Sequence, residues 1–261
     1  MKMSFAHGQV NRNKNTVEAY EFRLKTGTSQ VRVLPPHPTS DSWFVRVYEH
    51  WVDNGTVPCP RQFNRECPIC EEGETLYNSG VESQISVAKE LRPREAFYYN
   101  VVVFSTQDGK VSPKNGVVVM KSGVKVYRQL KDLDNDEAGG WGDMTNVNTG
   151  FDVRITRSGE GKNDTEYRVQ GVPFKSGPVA LKDSLAQHGV DLDSLVLVNL
   201  NEYIETRCLG YEELRTKVRN KRVAPGFPSG PRMSAEPTYT AAPAPVAVNL
   251  DVAPPPVVEE A

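Results

Sequence analysis

Between His50 and Cys70 the chain reads His50, eight residues, Cys59, seven residues, Cys67, Pro68, Ile69, Cys70. Three of its four cysteines and one of its four histidines fall in that stretch. A Cys-x-x-Cys pair lets two thiolates grip one ion from adjacent backbone turns, and Cys59 and His50 can complete a tetrahedron. Four protein ligands close a coordination shell and leave no position for an activated water. The pattern therefore points to one structural Zn2+ rather than a hydrolytic centre. His37, or Cys208, is open as a substitute for His50; Glu66 and Glu71 read as solvated neighbours of the thiolates.

The stretch is also rich in arginine and aromatic residues: Trp43, Phe44, Arg46, Tyr48, Trp51, Arg61, Phe63 and Arg65. Proteins that hold single strands combine a cationic groove along the phosphates with rings that stack on any base. The bulk charge does not advertise this, because the 261 residues carry a formal net charge of -2. Charge is separated along the chain, however. Beyond Val223 one base, Arg232, faces Glu236, Asp251, Glu259 and Glu260, so residues 1–222 sum to +1.

The ends read as tails. Residues 1–20 form a polar arm without an apolar leader core. Residues 223–261 hold nine of the nineteen prolines, many alanines and few large apolar residues. Such a segment cannot bury enough surface to offset its ordering entropy, so it reads as disordered. No run approaches the roughly 18–20 apolar residues that span a bilayer. The cysteine pattern fits a reducing compartment, and Cys208 reads as a small buried hydrophobe.

In between, Phe22–Leu34 alternates and stops at Pro35-Pro36, as a strand does. Ser42–Trp51 predicts a strand whose Phe44, Arg46, Tyr48 and His50 share one face. Residues 71–91 read as helical. Ala96–Phe104, AFYYNVVVF, is the strongest strand signal. Val117–Met120 returns as a strand, and Val124–Leu133 has helical spacing. Phe151–Thr156 and Glu166–Val169 predict a hairpin, and Val179–His188 and Leu200–Val218 predict helices. Short strands with long, varied connections suggest a mainly β, α+β fold: a small, partly open β-barrel decorated by helices, with a zinc subdomain.

The candidate nucleic-acid contacts are Arg46, Tyr48, Phe63, Arg94, Phe97, Tyr98, Tyr99, Tyr127, Arg128, Arg154 and Arg168, with Phe44 and Trp141 as further rings. Adjacent Phe97, Tyr98 and Tyr99 predict at least one ring outside the core, since alternate strand residues face opposite sides. Arg46, Arg154 and Arg168 are expected to line one polar sheet face. Trp43 and Phe151 lead apolar faces and read as core. The basic run Arg215–Arg222 reads as a solvated helix end.

The order VRVLPP (31–36), WFVRVYEHW (43–51), CPRQFNRECPIC (59–70), AFYYNVVVF (96–104), VKVYRQL (124–130) and GFDVRITRSGEG (150–161) resembles the T4-type phage single-stranded DNA-binding proteins. The resemblance covers roughly residues 20–215. It implies a five-stranded OB-fold core over 21–222 with a zinc subdomain at about 50–90, and His50, Cys59, Cys67 and Cys70 as ligands. It implies that Phe97, Tyr98 and Tyr127 occupy ring positions of the binding surface. It further implies a non-enzymatic protein that coats unwound DNA in replication, recombination and repair, in the host cytoplasm. Self-association would run through the N-terminal arm, and replication proteins would bind the C-terminal tail. The chain departs from the family at both ends: Arg12 and Lys14 make a thin basic arm, and the tail is only weakly acidic. Two rival classes are a zinc-dependent nuclease, for which Asp53 and Glu66 are the nearest carboxylates, and a zinc-containing adaptor docking proteins through its Pro-rich tail. No phosphate-cradling G-x-x-x-x-G-K-[ST] loop is present.

Overall fold

The AFYYNVVVF segment sits inside a thirteen-residue strand, Arg94–Thr106, and that length organises the sheet. The computed structural model describes residues 6–8, 21–52, 55–109, 116–136, 139, 141–161, 164–172 and 180–223. Among these the strands are β1 (Ala6–Gly8), β2 (Glu21–Arg23), β3 (Gly27–Val33), β4 (Phe44–Val52), β5 (Gly55–Pro58), β6 (Arg94–Thr106), β7 (Val118–Gly123), β8 (Val153–Ser158), β9 (Glu166–Gly171) and β10 (Val196–Val198). The helices are α1 (Pro68–Asn78), α2 (Glu82–Leu91), α3 (Val124–Asp134), α4 (Leu181–Gln187), α5 (Leu200–Thr206) and α6 (Tyr211–Val223). The tail beyond Val223 and most of the arm lie outside the described residues.

One edge of β6 is shared. Its first half pairs with β4 (Phe44 opposite Tyr99, Arg46 opposite Phe97) and its second half with β3 (Val33 opposite Val101). The other edge takes β7, and the ladder runs β2-β7-β6-β3-β8-β9, with β4 and β5 branching from β6. The expected partly open, five-stranded barrel is not what these pairings show: the sheet has eight strands and is not closed among the described residues. A helix covers part of the β9 edge. On α3, Gln129 donates from Nε2 to the Tyr167 carbonyl at 3.0 Å and accepts from the Val169 N–H at 2.9 Å. One side-chain amide thereby satisfies two groups on the free edge of β9, where another strand would otherwise be needed.

Both faces of β6 are covered, so residues 96–104 are buried without a break. Phe97, Tyr99, Val101 and Val103 join Val31, Val33, Val153, Ile155, Val126 and Leu130 in the main core. Ala96 and Tyr98 pack under α5 with Leu200, Tyr203 and Ile204, while Val102 and Phe104 pack under α4 with Leu181 and Leu185. This overturns the expectation that one of Phe97, Tyr98 and Tyr99 is exposed. The alternation argument assumes one solvated face, and this strand has none.

Other expectations resolve locally. Phe22–Leu34 is two strands, interrupted before Gly27, whose φ of +109° suits glycine. Residues 71–91 are two helices broken near Gly80, with α1 starting at Pro68 inside the Cys-x-x-Cys pair. Residues 200–218 also divide, into α5 and α6. Trp43 and Phe151 are core residues, 8% and 4% exposed.

Candidate nucleic-acid interface and metal centre

The candidate metal-ligating residues come from three local structures. His50 lies near the end of β4, Cys59 immediately before a 3-10 turn (Pro60–Phe63), and Cys67 and Cys70 bracket the first turn of α1. Proline at the first helical position of both the turn and α1 fixes φ where no backbone donor is needed. One ligand atom from each residue lies within 4.8 Å of all the others. Cys59 and Cys70 sulfurs are 3.6 Å apart, and His50 Nε2 is 3.4 Å from the sulfurs of both Cys67 and Cys70. A tetrahedral ion with metal–sulfur bonds of about 2.3 Å and metal–nitrogen bonds of about 2.0–2.1 Å sets sulfurs about 3.8 Å apart and sulfur from nitrogen about 3.6 Å. The donor set therefore fits one four-coordinate ion of that size.

The surroundings fit as well. His50 Nδ1 donates to the Leu91 carbonyl at 2.9 Å, which holds the ring with Nε2 turned toward the sulfurs. Hydrogen bonds from Cys67 and then Cys70 push the Cys59 thiol down to about 3, while the hydrogen bonds to Cys59 and Cys67 push the Cys70 thiol up. Like-charge repulsion opposes several thiolates this close together, and a bound divalent ion would offset it. His37 is not in the cluster and pairs with Thr39 at 2.8 Å. Nor is Cys208, whose sulfur lies 3.8 Å from the Pro58 carbonyl and whose thiol is raised by burial. Val52, Ile69, Leu91, Leu214 and Val218 wrap the cysteines, so β4, α1, α2 and α6 share a small core built on the cluster.

The knot faces a row of rings and arginines. Facing residues of β4 and β6 put Phe44, Arg46 and Tyr48 on the same side as Tyr99 and Phe97. Tyr127 from α3 lies over Phe97, centroids 3.8 Å apart and planes 3° from parallel, and meets Phe44 at 4.8 Å. Trp43 stacks on Tyr99 at 5.6 Å. Farther along, Arg46 lies over Tyr48 at 5.8 Å, and Tyr48 reaches a cleft of about 570 Å³. Cys59 and Cys70 line this cleft with Arg61, Tyr77, Asn78 and Arg92. Arg92 sits over the Tyr77 ring at 5.3 Å, and Tyr77 is 48% exposed. An accessible ring beside a guanidinium offers a nucleotide both a stacking face and a phosphate partner.

The predicted contacts thus divide. Arg46, Tyr48 and Tyr127 come together, with Tyr127 half-buried over Phe97. Phe63 is half-buried with Arg65 over its ring at 5.6 Å, and Arg94 and Arg128 are exposed. Phe97, Tyr98 and Tyr99 are at most 2% exposed. Tyr98 donates to Glu49, which pairs with Lys121 at 2.6 Å; burial and the Glu49 charge raise the Tyr98 phenol. Arg154 and Arg168 are exposed but do not share the face of Arg46. They point away from Val153, Ile155 and Val169, which belong to the core beneath the ring row. Trp141 packs on Phe151 at 4.8 Å, and a Cβ at Gly171 would stand 2.3 Å from its ring. Tyr77 escaped the sequence reading. Its signal was an aromatic residue among polar ones at the end of the helix that leaves the knot.

An α+β sheet with a four-ligand metal cluster beside an accessible run of rings and guanidinium groups defines a nucleic-acid-binding class of protein. A family model described as gp32 DNA binding protein like matches residues 25–210. The chain belongs to that family, the T4-type single-stranded DNA-binding proteins that its motifs resemble. A search of the curated proteins found no match. Among the described residues, no helix is long and apolar enough to cross a membrane.

Proposed function

We propose that the protein coats single-stranded DNA without sequence preference, gripping it along the row from Tyr127 through Arg46 and Tyr48 to the Tyr77–Arg92 cleft. The observation that carries this reading is that the row and the metal cluster adjoin, Cys59 and Cys70 forming part of the cleft wall. Membership of a DNA-binding family supports it. Phosphate contacts release counterions and rings stack on bases, so binding falls with salt and needs unpaired bases. The metal would be one structural Zn2+, held by His50, Cys59, Cys67 and Cys70. It would order β5, α1 and α2 as one wall of the cleft. Phe97, Tyr98 and Tyr99 would serve from beneath, Phe97 as the bed for Tyr127. Arg94 and Arg128 would extend the cationic rim, and Arg154 and Arg168 would meet phosphates only where the strand wraps the other side of the sheet.

The setting would be phage replication, recombination and repair in the host cytoplasm, with no catalytic step. The fold would be an OB-type barrel whose seam α3 closes. The arm over 1–20 would join neighbouring copies on the strand; its Ala6–Gly8 segment pairs in parallel with Val196–Val198. The acidic tail over 223–261 would recruit replication proteins. Deleting it is expected to leave affinity intact or raise it. The reading as a whole is tested by titrating the protein with single- and double-stranded oligonucleotides across a salt series. Salt-sensitive preference for the single strand supports it; equal affinity for duplex overturns it.

A further inference from the structure

Two arginines on this row are already engaged by carboxylates. Arg61 holds Glu74 through both guanidinium nitrogens, with Nη2 to Oε2 at 2.9 Å and a shorter Nη1–Oε1 contact. Both residues line the cleft with Tyr77 and Arg92. Arg46 Nη1 stands 3.7 Å from Glu95 Oε1, and the Tyr48 hydroxyl donates to the same oxygen at 3.4 Å. A parallel two-nitrogen grip on two oxygens is the geometry that a guanidinium also gives a phosphate. All four charged side chains are exposed, so a phosphodiester can reach the arginines once the carboxylates swing away.

Resting on the function proposed above, we infer that Arg46 and Arg61 are two phosphate subsites and that Glu95 and Glu74 are carboxylate place-holders in them. The strand must displace each glutamate, so the protein binds more weakly than its cation count implies and releases counterions at fewer points. A coating protein has to be removed as the template is copied, and an internal competitor lets each arginine exchange phosphate for carboxylate without standing bare. Arg92 differs: it lies over Tyr77 and has no ion pair among the described residues, leaving it as the first point of capture.

The test uses the full-length, metal-loaded protein and a thymidine oligomer of about 16 nucleotides, within the range such folds cover. Glu74→Gln and Glu95→Gln are each expected to tighten binding about threefold to tenfold and to steepen the logarithmic salt dependence by about 0.7, the increment for one more neutralised phosphate on a single strand. In an Arg46→Gln background Glu95→Gln should have no effect, and likewise Glu74→Gln in Arg61→Gln. Glu205→Gln removes the same charge from an ion pair with Arg65 that does not line the cleft, and should change little. Exposed ion pairs contribute little to stability, so the variants should fold. Unchanged affinity in both variants, or an equal gain from Glu205→Gln or in the arginine-free backgrounds, overturns the inference while wild-type binding stands. Failure of the wild-type protein to bind the oligomer would instead refute the function on which it rests.

Discussion

Phe97 and Tyr127 stack face to face at 3.8 Å, 3° from parallel, and only Tyr127 retains an accessible side. A base cannot enter between rings already in contact. In the proposed function Phe97 would therefore act through Tyr127, against which it is stacked.

The two rings should separate under mutation. Phe97→Ala removes a fully buried ring and is expected to cost about 3–5 kcal/mol of stability. Tyr127→Ala should cost less stability but weaken single-strand binding by about 1–3 kcal/mol, the value of one stacked base. Urea unfolding and oligonucleotide titration of both variants separate the effects. Equal loss of affinity at equal stability would place Phe97 in direct contact.

The two sides of the sheet should also separate. Tyr77→Ala and Arg92→Ala, in the cleft, are expected to lower affinity at least fivefold with little change in melting temperature. Arg154→Gln and Arg168→Gln, on the opposite face, should lower it less. Competition binding at fixed salt measures this, and the reverse ranking would move the strand to the other face.

Much of this layout was legible in the sequence. The ligand spacing identified the cluster, and the pattern of Ser42–Trp51 put Arg46, Tyr48 and His50 on one face, as β4 does. The fate of Phe97, Tyr98 and Tyr99 was not legible. A period of two reports which residues share a face, not how many faces are covered, and α5 is distant in sequence from the strand it covers. The edge of β9 escaped for a similar reason: Gln129, on a helix, bonds two backbone groups there that a strand partner would otherwise take. Tyr77 was hidden because an exposed ring on a short helix carries no periodic signal.

Acid should act on the fold through Glu21 as well as on the metal cluster. Burial alone would raise this carboxyl, but Arg207 at 2.8 Å and the hydrogen bond from Arg23 at 2.7 Å hold it below its ordinary value of 4.5. A depressed carboxyl contributes stability that is fully present above its unfolded value and is lost as pH falls through the folded one. Wild-type protein should therefore lose stability as pH drops below about 4.5, and Glu21→Gln should flatten that limb relative to wild type. Chemical unfolding of both proteins between pH 3 and 7, on about a unit grid, gives the difference curve. Parallel curves would remove Glu21 from the account.

The most direct measurement is single-strand affinity before and after metal removal, with metal content determined on the same samples. Native protein is predicted to hold one zinc per chain, His50→Ala to lose it and Cys208→Ala to keep it. Chelation should expose the backbone of residues 59–91 to hydrogen exchange and weaken binding at least tenfold, and added zinc should restore both. Metal-free protein that binds the strand as tightly as native protein would contradict the claim that the cluster braces the binding surface.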